Sequence, residues 1–261
     1  MSDADVTGRF LWYDLLTTDV AAARAFYRRV AGWSVEIWSA GDEPYPMWTV
    51  GDRPIGGVMD LPPEARAQGA PPHWMGYVGA TDVDATTARA QELGARVLVA
   101  PRDIPEVGRF GVLCDPDGAV FAPFAPRGEM PGCDEPPEVG DVSWHELLTA
   151  DHARGFDFYR ALFGWEIDHD VDLGEYGTYR IYRAGGPPVG GMMDRPPGMP
   201  VAAWLFYVRT DDIDAAVERV RAAGGAVLNG PMEVPGGDRV AQCRDPQGAT
   251  FALRELAVDR G

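Results

Sequence analysis

Lysine is absent from this 261-residue chain: all 23 basic side chains are arginines. That excludes Schiff-base chemistry and the phosphate-loop lysine together, and with them pyridoxal enzymes and loop-type nucleotidases. Histidine is scarce, with four copies, and the three cysteines, Cys114, Cys133 and Cys243, form no CxxC pair and occupy no repeated position. They read as reduced bystanders. No apolar run approaches ~20 residues, and Met1 to Arg9 has no cationic stretch leading into an apolar core. A membrane span and a secretory leader are therefore not expected, and a cytoplasmic location is. A GxSxG elbow, a zinc-type histidine pair and a glycine fingerprint for dinucleotides are missing as well. Positive charge is also in deficit, since 40 acidic residues give a formal net charge of -17. Phosphate backbones and anionic lipid heads would be repelled, which argues against nucleic acid and membrane as partners.

What is present fits a soluble globular protein, with 46% hydrophobic and 24% charged residues, in a chain long enough for two cores. Self-similarity organises it. Trp12-Tyr13-Asp14-Leu15-Leu16-Thr17-Thr18-Asp19 returns as Trp144-His145-Glu146-Leu147-Leu148-Thr149-Ala150-Asp151. Phe26-Tyr27-Arg28 returns as Phe158-Tyr159-Arg160, Gly32-Trp33 as Gly164-Trp165, Gly56-Gly57 as Gly190-Gly191, and Asp115-Pro116-x-Gly118 as Asp245-Pro246-x-Gly248. The spacing stays between 130 and 134 residues, so the chain is a tandem duplication. We expect a first domain over 1–125, a Pro, Gly and acid-rich linker over 126–140, and a second domain over 141–261.

Each half divides again. Residues 10–17 are apolar and alternating enough for a half-buried strand, Asp19 suits an N-cap, and Ala23, Phe26, Tyr27 and Val30 keep helical spacing up to Gly32. Short strands follow near 34–38, 45–50 and 55–59. The pattern restarts with a strand at 73–80, a helix capped at Asp82 and closed by Gly94, and strands near 96–99, 110–114 and 119–124. Four βαβββ units then give an α+β fold of curved, mostly antiparallel sheets that form cups, with helices on the outer faces.

The strand-Asp-helix-Phe-Tyr-x-x-x-x-Gly-Trp opening and the Asp-Pro-x-Gly turn resemble the vicinal oxygen chelate superfamily, which includes glyoxalases, bleomycin-resistance proteins and extradiol dioxygenases. The similarity is greatest to its two-domain actinobacterial, hydroxylase-like members, and it spans nearly the whole chain. The resemblance implies the fold far more than the function, because that scaffold hosts lyases, dioxygenases, epimerases, transferases and drug-sequestering proteins. It also implies where a metal would be held: seven residues before each helix-capping Asp and seven after the last-turn Asp. Those positions are Trp12, Met75 and Ala122 in one half, and Trp144, Leu205 and Ala252 in the other. None offers imidazole or carboxylate, so no metal and no other cofactor is expected. His145 adjoins Trp144, but period-two alternation sends it to the opposite face unless a bulge turns it inward. His73 reads as lying at the edge of a strand, His152 at a helix start and His169 in a loop.

With Trp12 facing the cup, Asp14 faces it too, and Trp144 brings Glu146 by the same parity. Neighbouring strands would add Tyr77, Tyr207 and Arg209, the last strands Phe124 and Arg254, and the Gly-Gly strands Met59 and Met193. Such cups suit a hydrophobic or aromatic small molecule; the alternative is that the tryptophans plug closed cores. A carboxylate among Trp and Leu is costly to bury unless it is paired or protonated, so Asp14 and Glu146 are candidate general acids or bases. The alternative for both is an ion pair with Arg209, Arg254 or another arginine. Arg109 and Arg239 fit turn and strand-edge pairing. Trp33, Trp165, Phe26 and Phe158 fit the core.

Three functions stay open from residues alone. One is a metal-independent protein of secondary metabolism or antibiotic resistance that binds, or transforms by acid–base chemistry, an aromatic ligand. The others are a metal-dependent lyase or dioxygenase, and a non-catalytic scaffold for another protein. An internal duplication supplies the pseudo-twofold pair that single-domain relatives gain by dimerising, so a monomer is expected, with a dimer as the alternative.

Overall fold

The computed structural model describes residues 6–39, 44–128 and 136–257. Cys133 and the middle of the expected linker lie outside the described residues. In the first half the elements are β1 (Phe10–Thr17), α1 (Val20–Val30), β2 (Ser34–Trp38), β3 (Tyr45–Val50), β4 (Arg53–Asp60), α2 (Pro63–Ala67), β5 (His73–Gly79), α3 (Val83–Glu92), β6 (Arg96–Ile104), β7 (Gly108–Cys114) and β8 (Val120–Pro126). The second half contributes β9 (Val142–Thr149), α4 (His152–Phe163), β10 (Glu166–Asp172), β11 (Thr178–Arg183), β12 (Pro188–Asp194), β13 (Ala203–Thr210), α5 (Ile213–Ala222), β14 (Ala226–Glu233), β15 (Arg239–Arg244) and β16 (Thr250–Glu255).

The four main helices start where a carboxylate caps them. Asp19, Asp82, Asp151 and Asp212 hold extended backbone while their side chains accept amide protons of the first turn. Strand β6 runs further than its apolar stretch suggested, through Pro101, because register shifts at Val97/Val99 and Val99/Arg102 absorb the missing amide proton on an edge strand. Each half forms an eight-stranded mixed sheet, ordered β2-β3-β4-β1-β5-β8-β7-β6 and β10-β11-β12-β9-β13-β16-β15-β14. Antiparallel pairs dominate, but β1 runs parallel to β4, β5 to β8, β12 to β9 and β13 to β16. The α+β fold of tandem βαβββ units is as the sequence implied.

By compactness the chain divides across the repeat. One unit takes Met1–Trp12, Met75–Asp134 and Trp144–Trp204; the other takes Tyr13–Trp74, Glu135–Ser143 and Leu205–Gly261. We call them the first and second units. Each therefore joins an opening βαβββ module from one half to a closing module from the other.

The aromatic residues explain that exchange. In the second unit Tyr27 stacks on Trp33 with ring centroids 5.4 Å apart, meets Trp48 and Trp74 edge-on, and Phe26 meets Phe251 at 5.8 Å. In the first, Tyr159 stacks on Trp165 at 5.2 Å, meets Trp204 edge-on, and Phe158 meets Phe121 at 6.0 Å. Edge-to-face pairs of buried rings add about 0.5–1.5 kcal/mol each beyond their area. A buried indole N–H usually finds an acceptor, and the repeat provides one for Trp33 and for Trp165. Trp33 Nε1 donates to the carbonyl of Gly140 at 2.7 Å, and Trp165 Nε1 to that of Gly8 at 2.8 Å. Gly140, at the end of the expected linker, is thus buried and bonded rather than exposed.

The Asp-Pro-x-Gly turns have the same double duty. Asp115 Oδ1 accepts the amide protons of Asp117, Gly118 and Ala119 at 2.8–2.9 Å, while Oδ2 accepts from Tyr159 Oη at 3.0 Å. Asp245 does likewise for Gln247, Gly248 and Ala249, and accepts from Tyr27 Oη at 3.2 Å. Burial pushes both carboxyls up, against the pull of these donors. Burial, aided by the neighbouring carboxylates, pushes the two phenols well above their ordinary range.

Candidate carboxylate-tyrosine site

The opening strands place the acidic pair. Along β1 in the second unit, Leu15 points to the core and is fully buried, so Asp14 and Leu16 share the other face. Register with β4 sets Asp14 beside Gly57 and Leu16 beside Met59, and β3 sets Met47 beside Gly57. Tyr45, two residues before Met47, lies on that same face and donates its hydroxyl to Asp14 Oδ1. Asp14 is 1% exposed; a carboxylate so buried needs such a donor.

The first unit repeats the device. Glu146 lies beside Gly191 and Leu148 beside Met193 in the β9–β12 register. Tyr179 on β11 donates to Glu146 Oε2 at 3.1 Å and accepts from Trp144 Nε1 at 2.7 Å. Glu146 is 6% exposed. Indole, phenol and carboxylate thus form a polarised chain, in which the phenolic oxygen both donates and accepts a hydrogen bond.

The glycines make room for the phenols. A Cβ built on Gly57 would lie 1.9 Å from Tyr45 Oη, and one on Gly191 would lie 2.2 Å from Tyr179 Cζ. Both distances are far inside contact, so Gly57 and Gly191 serve tyrosine seating, while a Cβ on Gly56 or Gly190 would meet the backbone carbonyl of Tyr13 or His145 at 2.1 and 2.2 Å. Tyr45 and Tyr179 were not singled out in the sequence, although their spacing of 134 residues matches that of Gly57 and Gly191. That shared spacing was the available signal.

The remaining expected residues divide. Tyr77 packs against Phe124 at 6.0 Å and Phe110 at 5.9 Å in the first unit. Trp12 and Trp144 are half-buried, as are Met59 and Met193. Tyr207 is buried, beside Ala252 on β16. Arg254 ion-pairs with Asp238 at 2.6 Å and donates to the carbonyl of Ser143 at 2.7 Å. Arg209 forms no ion pair among the described residues, so it is not the partner that the ion-pair alternative offered for Asp14 or Glu146; its guanidinium donates to the carbonyl of Pro137. The cause is local, because the backbone of Gly140 and Asp141 pairs with that of Arg209 and brings Pro137 over the strand end.

Arg109 and Arg239 each form a two-pronged pair with the first-turn acid of a helix, Asp84 and Asp214, where pairing at a turn or strand edge was expected. His145 is buried, stacks on Phe10 at 4.0 Å and bonds through Nδ1 to the carbonyl of Val189 at 2.7 Å. His169, expected in a loop, belongs to β10, since a register shift after Ile167 carries the strand past it, and its Nδ1 lies 2.7 Å from Asp168 Oδ2. His73 opens β5, where burial holds its imidazole below the usual range, and His152 opens α4 against Asp194. Among the described residues, no group of three or more His, Cys, Asp or Glu side chains is placed to hold a metal ion. The positions at which relatives of this fold would supply ligands carry indole, thioether and alkyl groups, which do not fit a divalent cation.

Comparison with known proteins accords with this architecture. A model of the Glyoxalase/Bleomycin resistance protein/Dioxygenase superfamily matches residues 142–253, and a Glyoxalase-like domain model matches residues 11–123. The glyoxylase-named protein CFP32 of Mycobacterium tuberculosis is 34% identical over 250 residues, covering 94% of each chain. The anthracycline biosynthesis protein DnrV of Streptomyces peucetius is 33% identical over 260 residues, covering 94% of this chain and 92% of DnrV. Among solved structures, the 2,3-dioxygenase LapB from Pseudomonas sp. KL28 superposes with a TM-score of 0.66 at 13% identity, over 97% of this chain and 94% of LapB. The Mn(II)-bound glyoxalase from Novosphingobium aromaticivorans gives 0.63 at 17%, over 97% and 84%. With relatives one-third identical over nearly the full length, this chain belongs to the glyoxalase/bleomycin resistance protein/dioxygenase superfamily.

Proposed function

We propose that this protein binds a hydrophobic, planar aromatic small molecule of secondary metabolism without a resident metal ion, and that it can act on the ligand by proton transfer. The observation that carries the reading is the duplicated pair: a buried carboxylate bonded to a tyrosine hydroxyl, Asp14–Tyr45 and Glu146–Tyr179, on a sheet face beside a half-buried methionine. Asp14 and Glu146 are the general acid–base candidates in this proposal. Trp12, Trp144, Tyr77, Phe124 and Tyr207 supply aromatic surface, Met59 and Met193 adapt to ligand shape, and Arg254 supplies a polar contact.

DnrV takes its name from anthracycline biosynthesis, and a planar, phenol-bearing aromatic polyketide is the ligand class that this chemistry suits. Phenol and carboxylate together can deliver or remove one proton at a ligand oxygen, because the tyrosine oxygen already relays between a donor and an acceptor in the first unit. The donor set at the family's ligand positions favours this reading over a metal-dependent lyase or dioxygenase. The protein acts in the cytoplasm as a monomer in this account, the internal repeat serving in place of a dimer.

Tryptophan quenching by a panel of anthracyclines and simpler quinones, followed by product analysis, tests the proposal. Saturable quenching that weakens in Glu146→Gln and Tyr179→Phe supports it. Absence of binding across the panel would overturn the ligand class. Turnover that survives both Asp14→Asn and Glu146→Gln would overturn the acid–base role.

A further inference from the structure

A groove of about 200 Å³ opens in the second unit where helix α1 ends. Its floor is apolar, since Val30, Val208 and Leu253 are buried. Its rim carries Arg29, Arg209 and Arg219, and among the described residues no acidic side chain lines it. This is unusual in a chain with 40 acidic residues against 23 arginines. Elsewhere Arg53, Arg109, Arg180, Arg239 and Arg254 all hold carboxylates. Among the described residues, none of the three groove arginines forms an ion pair. Arg209 donates to the Pro137 carbonyl, Arg219 donates to the Val30 carbonyl at 3.4 Å, and Arg29 makes no hydrogen bond to a described residue.

The fold itself does not demand this cluster. In the repeat, Arg29 corresponds to Ala161 and Arg209 to Gly79, and only Arg219 has a matching Arg89. Capping of the α1 carboxyl end accounts for Arg219, which reaches a terminal carbonyl. It does not account for Arg209, which lies on β13 and donates to Pro137, and it leaves the guanidinium of Arg29, in the last turn of α1, free of any carbonyl of that helix.

We infer that this groove binds an oxyanion, carboxylate or phosphate, carried on a small apolar body. Guanidinium groups donate charge-assisted hydrogen bonds in a geometry that matches both anions. The buried valines and leucine take the body. A space of about 200 Å³ corresponds to roughly seven waters at about 30 Å³ each, enough for one anion and a compact ring or short chain.

The test uses the full-length protein in calorimetric titrations at fixed ionic strength, with phenyl phosphate, benzoate, inorganic phosphate and neutral benzyl alcohol. We expect phenyl phosphate or benzoate to bind, the tighter of the two identifying the anion, with inorganic phosphate weaker and benzyl alcohol silent. Arg29→Ala should weaken binding about tenfold, and Arg29→Glu should weaken it further. Because Arg29 is exposed and donates to no described residue, both variants should retain the native circular dichroism spectrum, Arg29→Ala should keep a melting temperature near native, and Arg29→Glu, which sets a carboxylate in the last turn of α1, should lower it by no more than a few degrees. The inference is overturned by affinity unchanged in both variants, by benzyl alcohol binding as tightly as the anions, or by no anion binding at millimolar concentration. Inorganic phosphate matching phenyl phosphate would overturn the role of the apolar floor.

Discussion

Replacing Tyr159 with phenylalanine removes one oxygen from the middle of a buried relay. Trp204 Nε1 donates to that oxygen at 3.2 Å, and the oxygen donates to Asp115 Oδ2 at 3.0 Å. Deleting a neutral hydrogen bond costs about 1 kcal/mol, and deleting one to a carboxylate about 1.5–3 kcal/mol. The expected penalty near neutrality is therefore about 2.5–4 kcal/mol, a fall in melting temperature of roughly 5–15 °C. The pH dependence gives a sharper test. Burial raises the Asp115 carboxyl, and the Tyr159 hydroxyl opposes that rise, so the variant's carboxyl must rise further. A carboxyl raised on folding contributes stability that is complete below its unfolded value near 4 and is lost as pH climbs through its folded value. The variant must lose more over that window, so its penalty should shrink toward about 1 kcal/mol near pH 4, where only the indole partner is still affected. Urea unfolding followed by tryptophan fluorescence at both pH values measures this. An equal penalty at both, or one below about 0.5 kcal/mol at neutrality, would refute the reasoning.

Three further outcomes are expected. Gly57→Ala and Gly191→Ala force a Cβ onto Tyr45 Oη and Tyr179 Cζ; each should cost about 1–3 kcal/mol and weaken aromatic quenching, whereas Gly186→Ala, where a Cβ would meet nothing within 4 Å, should not. Burial pushes the Cys243 thiol up to about 12, so peptide mapping after alkylation at pH 8 should find Cys243 and the buried Cys114 unlabelled in native protein and labelled after denaturation. Arg239→Ala breaks a pair between exposed groups and should leave the melting temperature within error, in contrast to Tyr27→Phe, which should behave as Tyr159→Phe does.

Local pattern made much of the fold legible. The alternation of residues 10–17 and the carboxylates at 19, 82, 151 and 212 mark strands and helix starts that the structure reproduces, because both signals act within a few residues. The duplication was equally plain, since repeats are written in the sequence itself. What pattern could not supply was pairing over long separations. Nothing near Tyr27 announces Asp245, 218 residues away, and nothing near Trp33 announces Gly140; such partners are chosen by packing. Parity put Asp14 and Glu146 on the right face but was silent on Tyr45 and Tyr179, which arrive on a different strand. Arg209 shows the converse. Its strand position suggested a carboxylate partner, yet the carbonyl of Pro137 reaches it first, because the chain before β9 closes over that strand end.

Metal content of the purified protein bears most directly on the account, since it sets a carboxylate–tyrosine pair where a metal centre would otherwise be sought. Protein prepared without chelators, and without an affinity tag that binds metals, should carry Fe, Mn, Zn and Ni far below one equivalent per chain, and its ligand quenching should be unchanged after dialysis against EDTA. A stoichiometric metal whose removal abolishes binding or turnover would contradict the account.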